Sequence, residues 1–253
     1  MSTRIYLVRH GATTLSAEDA FAGSTDVELS AEGRRQAQLL AERMAHDEIC
    51  AAYCSPMHRT VDTARIVGSQ FGLELQLRDG LRELSHGHWE GLRRADVEAQ
   101  FPDEYAAWEA DPFTFAPEGG ESGLGVLARA LPAIRQIVVS HPNQTVAVVS
   151  HKATLRLLLC SLLGIDARGY RDHLDQSPAC LNVVDFKDVN RARLMLFNDI
   201  SPYADWPRRP SKSLSKWWWR TPGRMCWSSR TRPLSASSSA ACWALTRAAT
   251  ATG

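Results

Sequence analysis

Residues 7–14 read LVRHGATT, and the fold turns on how that stretch is parsed. The apolar run Ile5-Tyr6-Leu7-Val8 has the length and composition of a short buried strand. It stops at Arg9-His10-Gly11: a cation, an imidazole and a residue free to turn sharply. The pattern of a strand ending on chemistry recurs further along. Ile49–Cys54 reads as a second strand and stops at Ser55-Pro56. Residues 145–149, TVAVV, are the clearest buried strand, and Ser150-His151 follow at once.

Helical segments separate these strands. Ser30 is a fitting N-cap for a helix over 31–45, with apolar residues at 37, 40, 41 and 44. A second helix is expected over 58–71, closed by Gly72. Residues 73–77 alternate like a strand. LRLLLCSLL reads as a helix ending at Gly164, and residues 181–186 and 193–197 as a late hairpin. Strands alternating with helices imply an α/β fold with a mainly parallel sheet covered on both faces. Ligands of such sheets bind beyond the carboxyl ends of the strands. Arg9-His10, Ser55 and Ser150-His151 all fall there.

Composition is ordinary for a globular protein, 44% hydrophobic and 23% charged. No apolar run approaches the length that crosses a bilayer, and no basic segment followed by an apolar one marks a secretory signal. Six cysteines without a CxxC pair or metal-ligand spacing read as reduced, mostly buried thiols of a cytoplasmic protein. The net charge of +1 hides an asymmetry: residues 201–253 carry nine Lys/Arg against the single acid Asp205, and six of the eight Trp. We therefore expect a catalytic domain over 1–200 and a separate basic Ser/Arg/Trp-rich tail over 201–253, read as a disordered or aberrant extension. The alternative for the tail is a basic, aromatic arm for RNA or an anionic membrane surface. No nucleic acid is expected at the domain itself, and oligomeric state, a homodimer included, is open.

Arg9, His10, Arg59 in SPMHRTVDTA, Glu83 in LRELSHGHWEG and His151 in SHKATLR form an inventory for phosphoryl transfer. Guanidinium groups fork onto phosphate oxygens. A neutral imidazole can attack phosphorus, and a second, protonated one can neutralise charge in the transition state. A carboxylic acid can protonate the leaving oxygen and then deprotonate water. Gly11 is expected to let the backbone approach the phosphate, with the following amides as added donors.

LVRHGAT, LSAEGRRQA, SPMHRTVDTA, LRELSHGHWEG, GGES at 119–122 and SHKATLR together, in order and spacing, resemble the histidine phosphatase superfamily, in its phosphoglycerate mutase-like branch. The likeness runs over about residues 3–198. It implies a three-layer α/β/α sandwich, His10 as the phosphorylated nucleophile, Arg9, Arg59 and His151 as the phosphate pocket, and Glu83 as proton donor. Thr13, Ser16, Ala22 and Gly23 fall at further substrate-binding positions. It implies neither metal nor organic cofactor, and a small phosphorylated metabolite as partner.

Some positions depart from the pattern. Ser16 stands where Asn is usual, Asp19-Ala20-Phe21-Ala22-Gly23 lacks an Arg, and Lys152 replaces Gly after His151. Lys152 is expected to point to solvent, replacement positive charge being the alternative. His86-x-His88 could chelate a metal, but has no third ligand at fitting spacing; His88 is expected to line the substrate mouth instead. His58 is expected to be exposed, Asp62 to pair within its own helix, Trp89-Glu90-Gly91 to be structural, and the Trp108 and 113–122 region to cap the site. The reading is a metal-independent phosphomonoesterase working through a phosphohistidine. A phosphoglycerate mutase-type transfer and a non-catalytic phospho-ligand binder are the alternatives. Only 67 residues separate Glu83 from His151, a short insertion that favours hydrolysis over the mutase.

Overall fold

The computed structural model describes residues 2–17 and 20–204. The tail over 201–253 thus lies almost wholly outside the described residues, as do the side chains of Ser16 and Ala17.

The elements run β1 (Thr3–Arg9), α1 (Ala31–Met44), β2 (Ile49–Cys54), α2 (His58–Gly68), β3 (Leu75–Leu77), α3 (Arg94–Gln100), α4 (Pro102–Ala110), α5 (Gly123–Ser140), β4 (Thr145–Ser150), α6 (Lys152–Leu163), α7 (Tyr170–His173), β5 (Leu181–Asp188) and β6 (Arg191–Asp199). One six-stranded sheet has the order β3-β2-β4-β1-β5-β6. The first four of these strands pair in parallel; β5 and β6 add an antiparallel hairpin beside β1. The sheet is therefore mixed, because the short turn between β5 and β6 can only reverse the chain.

Side chains of β1 alternate between two cores. Ile5 and Leu7 pack with α5, α6 and the even-numbered valines of β4, Val146 and Val148. Tyr6 and Val8 pack on the other face with Leu40, Met44, Val61 and Val67 from α1 and α2. A strand buried on both faces has to be apolar at every position, which is why LV precedes RH without a polar break. Helix α5 is 18 residues long and apolar enough, by length and composition, to cross a membrane. Its buried side, Val126, Ala130, Ile134 and Ile137, faces the first core, so we read it as a core helix.

Helix boundaries follow local chemistry. Ser30 caps α1 as expected, its hydroxyl accepting from Gly33 N at 3.1 Å. Gly164, at φ +70°, closes α6. Helix α2 ends at Gly68, short of the expected 71: the Ser69 hydroxyl donates to the Ile66 carbonyl at 2.8 Å, an acceptor the next helical turn would need. Gly72 then takes the left-handed conformation, φ +61°, beyond the helix.

Candidate active site

Strand register builds the site. Arg9 and Ser150 are the last residues of adjacent parallel strands and stand opposite each other. The next residues, His10 and His151, leave the sheet side by side, ring centroids 5.2 Å apart and edge to face. Ser55 follows β2 on the far side of β4, its amide on the Val149 carbonyl at 3.1 Å. Arg59, in the first turn of α2, turns its guanidinium inward. Glu83 arrives on the loop between β3 and α3, its carboxylate against the start of α6. Arg9, His10, Thr13, Ala22, Arg59, Glu83 and Lys152 line a single cavity of about 200 Å³.

Hydrogen bonds assign the imidazole tautomers. His10 Nδ1 lies 2.7 Å from the Gly11 carbonyl, which can only accept. Nδ1 therefore carries the proton and Nε2 keeps its lone pair. Burial, then the Arg9 and Arg59 charges, hold the ring well below its ordinary pKa. His151 Nδ1 accepts from Arg59 Nε at 3.1 Å, so its Nε2 donates to Ser55 Oγ at 2.8 Å. It too is held well below its ordinary pKa, by burial and then Arg59. The expectation of a protonated second imidazole is thus corrected: Arg59 donates where a proton would have to sit.

The cations are anchored from behind. Arg59 also donates to the Thr25 carbonyl at 2.8 Å and the Gly23 carbonyl at 2.7 Å. Arg9 Nη1 donates to the Gln176 carbonyl at 2.6 Å, while its buried Nε has no partner among the described residues. Gln176 is locked in turn: its Nε2 reaches Asn182 Oδ1 at 3.0 Å, and Asn182 Nδ2 reaches Gln176 Oε1 at 2.7 Å. The Glu83 carboxylate accepts from Ala153 N, Thr154 N and Thr154 Oγ1, each at 3.1 Å, and from Leu84 N at 3.0 Å. It sits at the positive end of α6.

Several expectations change. Gly11 does not line the cavity. A Cβ there would meet the Gly33 carbonyl at 2.4 Å, so the residue is small to let the loop lie on the start of α1. The amides of Gly11 and Ala12 are committed to Thr63 Oγ1 and Gln36 Oε1, at 3.1 and 3.0 Å, and are not spare donors. Gly23 likewise admits no side chain, because a Cβ would lie 1.8 Å from the Leu84 carbonyl. Lys152 lines the cavity while its side chain stays 43% exposed, and burial followed by Arg156 and Arg9 lowers its ammonium to about 8. His86, not His88, lines the mouth; His88 packs on Phe101 at 4.6 Å, its Nε2 3.3 Å from Glu104. His58 is exposed as expected and pairs with Asp26 at 3.0 Å. Asp62 pairs at 3.0 Å with Arg34 of α1, more closely than with Arg65 at 3.9 Å in its own helix.

Trp89 is fully buried, as expected, in an aromatic cluster with Phe21, Val97 and Trp108. Glu90 does more than expected: it accepts from Ser24 N at 2.8 Å, Thr25 Oγ1 at 2.6 Å and His86 N at 2.9 Å, holding the loop on which Arg59 is anchored. The sequence reading missed Arg129. Its guanidinium grips the carbonyls of Gly80, Arg82 and Glu83 at 2.8–3.0 Å and is clamped by Glu121 at 2.7 Å. The GGES run was a signal for this clamp, since Glu121 lies within it.

A family model, the Histidine phosphatase superfamily (branch 1), matches residues 5–200. Phosphoserine phosphatase 1 of Hydrogenobacter thermophilus is 33% identical over 163 residues, 64% of this chain and 77% of that protein. Glucosyl-3-phosphoglycerate phosphatase of Mycobacterium tuberculosis is 34% identical over 168 residues, 63% of this chain and 75% of that protein. Among solved structures, Bacillus stearothermophilus YhfR superposes with a TM-score of 0.75 at 28% identity, over 79% of this chain and 98% of that one.

Proposed function

The chain belongs to the histidine phosphatase superfamily, branch 1, and on that footing we propose how its cavity hydrolyses a small-molecule phosphomonoester through a phosphohistidine. It is a phosphoric monoester hydrolase, as the named relatives are. The convergence of His10, His151, Arg9, Arg59 and Glu83 on the ends of adjacent strands carries the assignment of roles.

His10 Nε2 is the nucleophile. The Gly11 carbonyl fixes the tautomer, and burial with two guanidiniums keeps the ring neutral, so no proton has to leave before attack. Arg9 and Arg59 hold the phosphate oxygens, with Thr13 and Ala22 forming the wall, Lys152 at the junction with the neighbouring cavity that Gly23 lines, and Ser16 on the adjoining turn. His151 orients the Arg59 guanidinium. As the P–O bond breaks, its electron pair goes to the alkoxide oxygen, which takes a proton from Glu83. Water then attacks the phosphohistidine, gives its proton to Glu83, and releases inorganic phosphate and neutral His10. Every step uses protein groups, so metal independence is part of the proposal. A reducing, cytoplasmic setting is part of it too, supported by the unpaired Cys50, Cys54, Cys160 and Cys180.

Release of phosphate from p-nitrophenyl phosphate, unchanged by EDTA, is the expected result. His10→Ala should abolish it, and a variant that keeps near-normal turnover would reject His10 as nucleophile.

A further inference from the structure

The phosphate cavity adjoins a second one of about 240 Å³, and Ala20, Ala22, Glu83 and Lys152 line both. Given the phosphatase reading, on which this inference rests, the leaving alcohol occupies that second chamber, because Glu83 must reach its oxygen. The chamber wall includes Lys152, Arg156, Arg171, Arg94, Tyr170 and Trp108.

Among the described residues, Lys152 and Arg156 in that wall have one acidic partner between them. Lys152 and Arg156 lie one turn apart on α6 and so share a face, where like charges repel. Both reach a single carboxylate, Asp175 Oδ1, at 3.8 and 2.8 Å. Arg171 pairs with Glu109 Oε1 at 3.1 Å, its guanidinium over the Trp108 ring at 4.1 Å. Among the described residues only Nη2 of the Arg156 donors is engaged, and the buried Nε has no partner. That side chain is 13% exposed, so water compensates little of its charge. The low basicity of Lys152, caused after burial by Arg156 and Arg9, reports the same excess of positive charge.

We infer that the chamber selects a leaving alcohol that carries its own carboxylate, bound by Lys152 and Arg156: the preferred substrate is the phosphomonoester of a small hydroxy acid, not of a neutral sugar or alcohol. A monoanion matches the imbalance, since two cations share one aspartate. The guanidinium fork suits a carboxylate, and Lys152 stands between this group and the phosphate, lining both cavities.

The test compares kcat/KM for matched esters: 3-phosphoglycerate against glycerol 3-phosphate, and phosphoserine against phosphoethanolamine. The acid of each pair is expected to win by about tenfold or more, as one charged hydrogen bond supplies. Arg156→Met and, separately, Lys152→Met should pull the ratio toward one, chiefly through KM, and Arg156→Lys should restore part of it. Lys152, at 43% side-chain exposure, keeps the test available if the Arg156 variants do not fold. Equal turnover of acid and neutral esters by the wild type, an unchanged ratio in both variants, or preference for a bisphosphate over both would overturn the inference. Turnover of p-nitrophenyl phosphate that His10→Ala abolishes leaves the phosphatase reading standing in each of those cases; no turnover of any ester would sink that reading as well.

Discussion

His10 and His151 each make one hydrogen bond that settles where a proton sits, and that bond matters more than the identity of the residue. His10 donates through Nδ1 to Gly11, and His151 accepts through Nδ1 from Arg59. Both rings are buried beside guanidiniums, with folded-state pKa values well below 6.5. The unfolded chain therefore binds more protons once the pH drops below that value. The stability these neutral rings contribute is complete above 6.5 and is lost as the pH falls toward their folded-state values, at about 1.4 kcal/mol per pH unit for each ring. Urea unfolding between pH 7.5 and 5.5 should show it, and His10→Asn should make the dependence shallower. An unchanged slope would mean that His10 takes up protons equally in the folded and unfolded chain. Lys152 supplies a second pH effect. With its ammonium lowered to about 8, KM for acidic esters should rise as the pH passes that value, while Lys152→Met shows no such rise.

Between elements, the site depends on residues that never reach the cavity. The Glu121–Arg129 clamp joins the start of α5 to the loop carrying Glu83. Glu121→Gln should loosen that loop and lower kcat by about 10- to 100-fold for alkyl phosphates, the scale of a small misplacement of a catalytic group. p-Nitrophenyl phosphate, whose leaving group needs little protonation, should suffer much less. Equal losses on both would show that the clamp does not act through Glu83. The buried Gln176–Asn182 pair supports Arg9 in the same indirect way. Asn182 stands opposite Leu7 in the sheet and donates to its carbonyl at 3.1 Å. Asn182→Leu leaves the Gln176 amide unpaired in the core and should cost about 1–3 kcal/mol in urea unfolding. A neutral result would mean that the network contributes nothing net.

At the scale of the molecule, the residues lining both cavities lie between Arg9 and Arg171, and the last described contact toward them is the Tyr203 hydroxyl donating to the Pro178 carbonyl, near Arg9's support. A chain ending at Ala204 should therefore keep fold and turnover, whereas one ending at Pro202 should lose part of both; inactivity of the longer truncation, measured with folding by circular dichroism, would refute this. Apolar runs, caps and turn residues are local, and they determined the alternation of strands and helices and the family-bearing residues His10, Arg59, Glu83 and His151. Helix α2 ended a few residues early because the Ser69 hydroxyl competes locally for the Ile66 carbonyl, a detail the apolar pattern does not carry. Tertiary structure alone decided the rest. Which way Lys152 points, what Gly11 makes room for, which histidine carries a proton on which nitrogen, and that Arg129 holds Glu83 are all set by partners distant in the chain. Sequence patterns record a residue's own preference. A charge's direction and a ring's tautomer belong to the packed surroundings, where burial removes water and leaves each polar group only the partners the fold brings to it.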